Sequence, residues 1–122
     1  RIVMGDFWFQ RDSYKDFHAE LLKDINEVSS VTWENSSYHN DATGSVCYYH
    51  HTDDETYVQL FAFETKFEAE LELGEEYGTI YSITVCVKGN SNYTCWDGDS
   101  RSEALHRAAY FALKMYEGDT TQ

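Results

Sequence analysis

Apolar residues recur along this chain at two periods, first every three to four positions and then every second one. Tyr14, Phe17, Leu21, Leu22, Ile25 and Val28 fall on one helical face, with Lys15, Asp16, Glu20, Lys23, Asp24 and Glu27 on the other. That spacing predicts a helix capped by Asp12 or Ser13 and ending near Val28. From Val31 the period becomes two, which predicts a short strand over 31–33 and a polar loop or exposed hairpin over 35–44. Further strands are expected over 45–51, 56–63, 67–73, 79–88 and 92–96. The strongest is 79–88, where Tyr81, Ile83, Val85 and Val87 share one face and Ser82, Thr84, Cys86 and Lys88 the other. Ahead of the first helix, Phe7-Trp8-Phe9 within residues 5–10 reads as a short strand or a packed lead-in.

The last predicted element is a helix with an explicit start. Ser100-Arg101-Ser102-Glu103 fits the capping box, in which a serine hydroxyl and a glutamate each satisfy an orphan backbone donor. Ala104, Ala108 and Ala112 repeat every fourth residue, a flat face suited to a sheet, and Gly118 is a natural stop. No proline, repeat or low-complexity linker divides residues 1–122. The expected fold is a single α+β domain: an antiparallel sheet of about four to six strands with an N-terminal and a C-terminal helix packed on it.

Composition narrows the class. A chain of 122 residues can bury a core without metal or disulfide help. Its net charge of −13 accompanies 42% apolar and 16% aromatic residues, which separates it from a disordered acidic tail. No apolar run approaches the ~18 residues of a membrane span, and a basic-then-apolar leader is not expected. Three cysteines, Cys47, Cys86 and Cys95, are an odd count, so reduced thiols and a cytoplasmic protein are expected. Cys86 and Cys95 flank a predicted hairpin, where a disulfide is geometrically conceivable. Asn35-Ser36-Ser37 and Asn92-Tyr93-Thr94 match a glycosylation triplet that arises often by chance.

Charge is the feature that points to a partner. Phe67-Glu68-Ala69-Glu70-Leu71-Glu72-Leu73 alternates strictly, and from Asp53 to Glu76 nine acidic residues meet one base, Lys66. As a strand this segment would present Glu68, Glu70 and Glu72 on one face at ~6.6 Å intervals. That row would match about every second phosphate of a nucleic-acid strand, at ~3.4 Å each. Such a surface repels nucleic acid and attracts the proteins that bind it. Glu75, Glu76 and Tyr77, in the turn that follows, would extend the surface, with Asp53, Asp54 and Glu55 adjacent. Tyr48, Tyr49, Tyr57, Tyr93 and Trp96, near acidic residues, would suit an arginine-rich partner, although at least half of this aromatic set is expected to pack in the core. Reversing Glu68, Glu70 and Glu72 to lysine is expected to weaken binding while leaving stability nearly intact.

Other chemistry is poorly supported by the residue pattern. Cys47, His50 and His51, with His39 upstream, lack zinc spacing, and no Cys-x-x-Cys occurs. Asp97-Gly98-Asp99 lacks the remainder of a calcium loop and reads as a turn before a cap at Asp99 or Ser100. No nucleophile elbow or phosphate-cradling glycine loop is present. With 22 acids, adjacent carboxylates are inevitable and mark no active site. The expectation is a non-enzymatic binding protein without cofactor or metal. Its partner would be the basic surface of a nucleic-acid-binding protein or complex, with no direct nucleic acid or membrane contact. The aromatic N-terminus leaves a homodimer open.

Two resemblances lie in the C-terminal third. Strand, turn and strand from about Thr79 lead into Gly98-Asp99-Ser100-Arg101-Ser102-Glu103-Ala104-Leu105-His106-Arg107-Ala108-Ala109. This resembles the ending of small phage and prophage α+β proteins, whose closing helix opens on Gly-x-[Ser/Thr]-x-x-Glu-Ala-x-x-Arg-Ala. That resemblance implies an inhibitor of a host defence nuclease, in the manner of an anti-CRISPR protein. The same segment is similar to the second half of a double-stranded-RNA-binding domain. There the helix start would carry phosphate-gripping lysines, where this chain has Ser100-Arg101-Ser102-Glu103, and its minor-groove loop would be the acidic Glu75-Glu76-Tyr77-Gly78. It implies a degenerate domain serving as a protein-interaction scaffold in RNA processing, and it needs a helix over 57–63 where the alternation predicts a strand.

Overall fold

The computed structural model describes residues 7–118; Gly5 and Asp6 of the expected lead-in lie outside them. Helix α1 (Asp12–Val28) covers the predicted span, but its N-cap is Arg11, with no side-chain capping bond, rather than Asp12 or Ser13. It buries Tyr14, Leu21 and Ile25, while Phe17 and Leu22 are half-buried and Val28 is exposed. The meander then runs through β1 (Glu34–Asn35), β2 (Ser45–His50) and β3 (Asp53–Ala62). Helix α2 (Lys66–Leu73) separates β3 from β4 (Tyr81–Cys86), which β5 (Tyr93–Gly98) and α3 (Arg101–Tyr116) follow. All neighbours are antiparallel in the order β1-β2-β3-β4-β5, so the protein is α+β with one five-stranded sheet among the described residues.

Alternation along the strands builds one core. Val46, Tyr48, Val58, Leu60, Ala62, Tyr81, Ile83 and Val85 meet Leu21 and Ile25 of α1 and Ala104, Ala108, Ala112 and Met115 of α3. The alanine stripe does what its spacing predicts: all three alanines are fully buried, and α3 lies close over β3 and β4. Ser100 caps α3 by accepting from the Glu103 N–H at 3.2 Å. The other half of the expected capping box gives way to an ion pair, since the Glu103 carboxylate accepts from Arg107 Nε at 2.8 Å. Arg101 donates to Asp24 at 2.8 Å and ties α3 to α1.

Three expectations need correction. Residues 31–33 form no strand; pairing begins at Glu34, opposite Cys47. Asn26 explains this, because its amide accepts from Trp33 N at 2.8 Å and donates to Trp33 O at 3.2 Å, taking both backbone groups away from a ladder. Phe7-Trp8-Phe9 is no strand either, but it is packed: Trp8 starts a short 3-10 turn (Trp8–Gln10), is buried against Tyr14 and donates from its ring to Asp41 O. The third correction is the glutamate segment, which is helical and is described below.

The three cysteines are free thiols. The β4–β5 register pairs Ile83 with Trp96 and Thr84 with Thr94, which leaves Cys95 in a bulge with its Sγ 3.5 Å from Ile83 O. Cys86 lies further along β4, opposite Tyr57, so the register keeps the two thiols apart. Burial pushes the Cys47 thiol up to about 12 and Cys95 up to about 11, so both stay protonated and unreactive at neutral pH.

Tyr14 stitches α1 to the sheet. Its buried hydroxyl donates to Ala62 O at 2.7 Å and accepts from Gly44 N at 3.1 Å and from Thr43 Oγ1 at 3.2 Å. Gly44 is required here, because a Cβ would sit 2.7 Å from that oxygen. Burial raises the Tyr14 phenol to about 12 from its ordinary value of 10.0. The folded state therefore holds a proton that the unfolded chain releases, so this contribution is intact below pH ~10 and lost as pH rises through ~12. Urea unfolding between about pH 8 and pH 12 should show stability falling by about 2 to 3 kcal/mol from this group alone. A flat profile over that range would contradict the buried assignment.

Candidate functional site

Residues 67–73 form α2 rather than a strand, and the change of period inverts the expected surface. Thr65 caps the helix by accepting from the Glu68 N–H at 3.1 Å, and Gly74, at φ +92°, ends it. With a helical repeat, Glu68 turns inward beside the fully buried Ala69, while Phe67 and Leu71, four residues apart, turn outward at 58% and 43% exposure. The row of three glutamates at strand spacing does not exist.

Glu68 is a structural anchor. Arg11, just before α1, grips it with both guanidinium branches at 2.7 and 3.1 Å, and also reaches Glu64 at 3.4 Å. Only 12% of the Glu68 side chain and 21% of the Arg11 side chain remain exposed, so this bidentate pair is largely withdrawn from screening. Lys66 holds the other side of the helix, donating to Gly78 O at 2.6 Å and to Asp99 at 2.9 Å. That pairing with Lys66 holds Asp99 below its ordinary value. Gly78 folds back so closely that a Cβ there would lie 2.5 Å from Glu70 Cα. The turn 74–78 is thereby strapped against α2.

The remaining expected residues divide into two groups. Glu72, Glu75, Glu76 and Tyr77 are exposed on α2 and its turn, and Glu70 is half-buried 4.0 Å from Lys66. Asp53, Asp54 and Glu55 open β3 at the end remote from α2, ~30 Å of strand from Ala62 at ~3.3 Å per residue. They are not adjacent to the α2 acids. Asp53 is turned to local work, accepting from Glu55 N at 3.0 Å and Thr56 Oγ1 at 2.8 Å, bonds that hold its carboxyl below the usual range. Of the tyrosines weighed between surface and core, Tyr48 is core, whereas Tyr77 is the most exposed large apolar side chain among the described residues.

The expected metal candidates are also dispersed. Cys47 is buried in β2, His50 and His51 stack on each other at 4.5 Å, and His39 stacks on Phe9 at 3.9 Å. Among the described residues no three His, Cys, Asp or Glu side chains converge on a cation site. Asp97 and Gly98 belong to β5, and Asp99 binds Lys66 and Ile80 N.

One polar cluster was not anticipated. His18 points inward from α1, four residues from Tyr14, and lines a cleft of about 310 Å³ with Trp8, Lys15, Ser37 and His39. The 14/18 spacing on a helix carried the signal. His18 Nε2 lies 2.8 Å from Ser45 O and 3.2 Å from Ser37 Oγ. A carbonyl oxygen only accepts, so Nε2 carries the hydrogen and has no lone pair with which to take the Ser37 proton. The pair braces the loop between β1 and β2 and is not a nucleophile with its base.

No helix among the described residues is long and apolar enough to cross a membrane. Comparison of the chain with family models, with curated proteins and with solved structures finds no match.

Proposed function

We propose that this chain is a non-enzymatic acidic binding protein that occupies the basic nucleic-acid-binding channel of a partner protein. The observation that carries this reading is the display on α2 and its turn. Glu72, Glu75 and Glu76 are exposed there and Glu70 is half-buried 4.0 Å from Lys66, while among the described residues Lys66 and Arg11 bind more closely to Asp99 and Glu68. With 22 acids against 9 bases in the whole chain, the surface field strengthens that local one. The contact is electrostatic rather than a phosphate-spaced replica, and Asp53, Asp54 and Glu55 are outside it. The C-terminal resemblance supplies a setting, a phage-encoded inhibitor of a host defence nuclease.

The test is capture of nucleases and nucleoproteins on immobilised wild-type chain, followed by elution with duplex DNA or salt. Release by duplex is expected, together with weakening as the Debye length contracts from ~8 Å at 0.15 M to ~3 Å at 1 M salt. Glu70→Lys, Glu75→Lys and Glu76→Lys combined should weaken capture by at least about tenfold, or roughly 1.4 kcal/mol. A partner released by neither duplex nor salt, or held equally by the triple variant, would discard this surface.

A further inference from the structure

Resting on that reading, we propose that α2 docks as a helix in a groove of the partner with an apolar floor and a basic rim, anchored by Phe67 and Leu71. Solubility alone would favour polar residues at these outward positions. Instead Phe67, Leu71, Leu73 and Tyr77 are 58%, 43%, 43% and 71% exposed within eleven residues of chain. Phe67 and Leu71 share a face at i, i+4, the spacing used by helices that insert apolar anchors into grooves. The acids on the same helix and its turn are Glu72, Glu75 and Glu76, all exposed, and the half-buried Glu70, and charge complementarity therefore places cations on the rim of whatever receives the anchors.

The helix is also prepared for docking. The Thr65 cap, the Arg11–Glu68 pair, the Lys66–Asp99 pair and the close approach of Gly78 hold it before any partner arrives. Little backbone order remains to be imposed on binding. A second exposed apolar face, on α3, differs in charge. Tyr110, Leu113 and Tyr116 there stand beside Lys114, whose ammonium lies 5.8 Å from the Tyr110 ring centroid, and beside Arg107, which pairs with Glu103. A basic groove selects α2 over α3. A symmetric contact between two copies through α2 would oppose like charges.

The probes are two peptides of equal length and charge, one an amphipathic Leu/Arg helix and the other with each Leu replaced by Ser. Titration into the labelled full chain at about 0.15 M salt should show the Leu/Arg peptide binding about tenfold tighter, with amide shifts centred on residues 66–78. Phe67→Ser with Leu71→Ser should abolish that preference while leaving the Ser/Arg peptide's affinity unchanged. Retained preference in the double variant overturns the proposal, as do shifts centred on α3. A wild-type dimer in sedimentation that the double variant loses assigns the face to a second copy and overturns it too. If Glu70→Lys, Glu75→Lys and Glu76→Lys combined binds both peptides like wild type, the acidic surface itself fails, and the docking proposal with it.

Discussion

Glu68→Lys should destabilise the protein by about 3 kcal/mol, the scale of removing one partner from a largely buried ion pair. The new ammonium would face Arg11, whose guanidinium now binds the carboxylate with both branches and is four-fifths buried. The loss should appear as a lower urea midpoint with an unchanged slope. Glu75→Lys and Glu76→Lys, in the exposed turn, should each stay within about 0.5 kcal/mol of wild type. Equal stability of all three variants would show that Arg11 does not hold α2. The contrast matters for function, because binding lost on Glu68 reversal would reflect a displaced helix and not a lost contact. The charge-reversal test belongs to Glu70, Glu75 and Glu76.

Trp33→Ala should be more damaging still, at about 3 to 5 kcal/mol for an aromatic residue removed from a packed core. Trp33 is 2% exposed and belongs to the same cluster as Leu21, Ile25 and Val46. Its ring also donates to Ser29 Oγ at 3.0 Å, pinning the turn after α1. Trp33→Phe keeps most of the apolar volume and should recover at least half of the loss. Thermal unfolding of the two variants measures this directly. A mild Trp33→Ala effect would mean that the segment between α1 and β1 is not part of the cooperative core.

The clearest misreading concerns residues 67–73. Glu-Ala-Glu-Leu-Glu-Leu satisfies a two-residue period as well as any strand, and the alternation suggested one exposed acidic face. Competing signals were present in the same stretch. Thr65-Lys66-Phe67-Glu68 has the Thr-x-x-Glu form of a helix start, Gly74 stands where a helix stops, and Lys, Glu, Ala and Leu favour helix over strand. Local propensity and capping won over periodicity. The alternation is a consequence of composition in an eight-residue helix, too short for its own period to stand out.

By itself the sequence determined the α+β class, the span and buried face of α1, the existence though not the exact ends of the strands expected over 45–51, 56–63 and 79–88, and the alanine face and Ser100 cap of α3. Each of these rests on interactions between residues close in the chain, where spacing and propensity act directly. Only the tertiary structure decided that Arg11 meets Glu68 across 57 residues, that Asn26 takes Trp33 out of the sheet, that the register separates Cys86 from Cys95, and that β3 holds Asp53 far from α2. Those outcomes depend on which distant segments share a surface, and periodicity carries no information about distance. The acidic excess was therefore legible from composition. The side of the helix that shows it, and the apolar pair at its centre, came from packing.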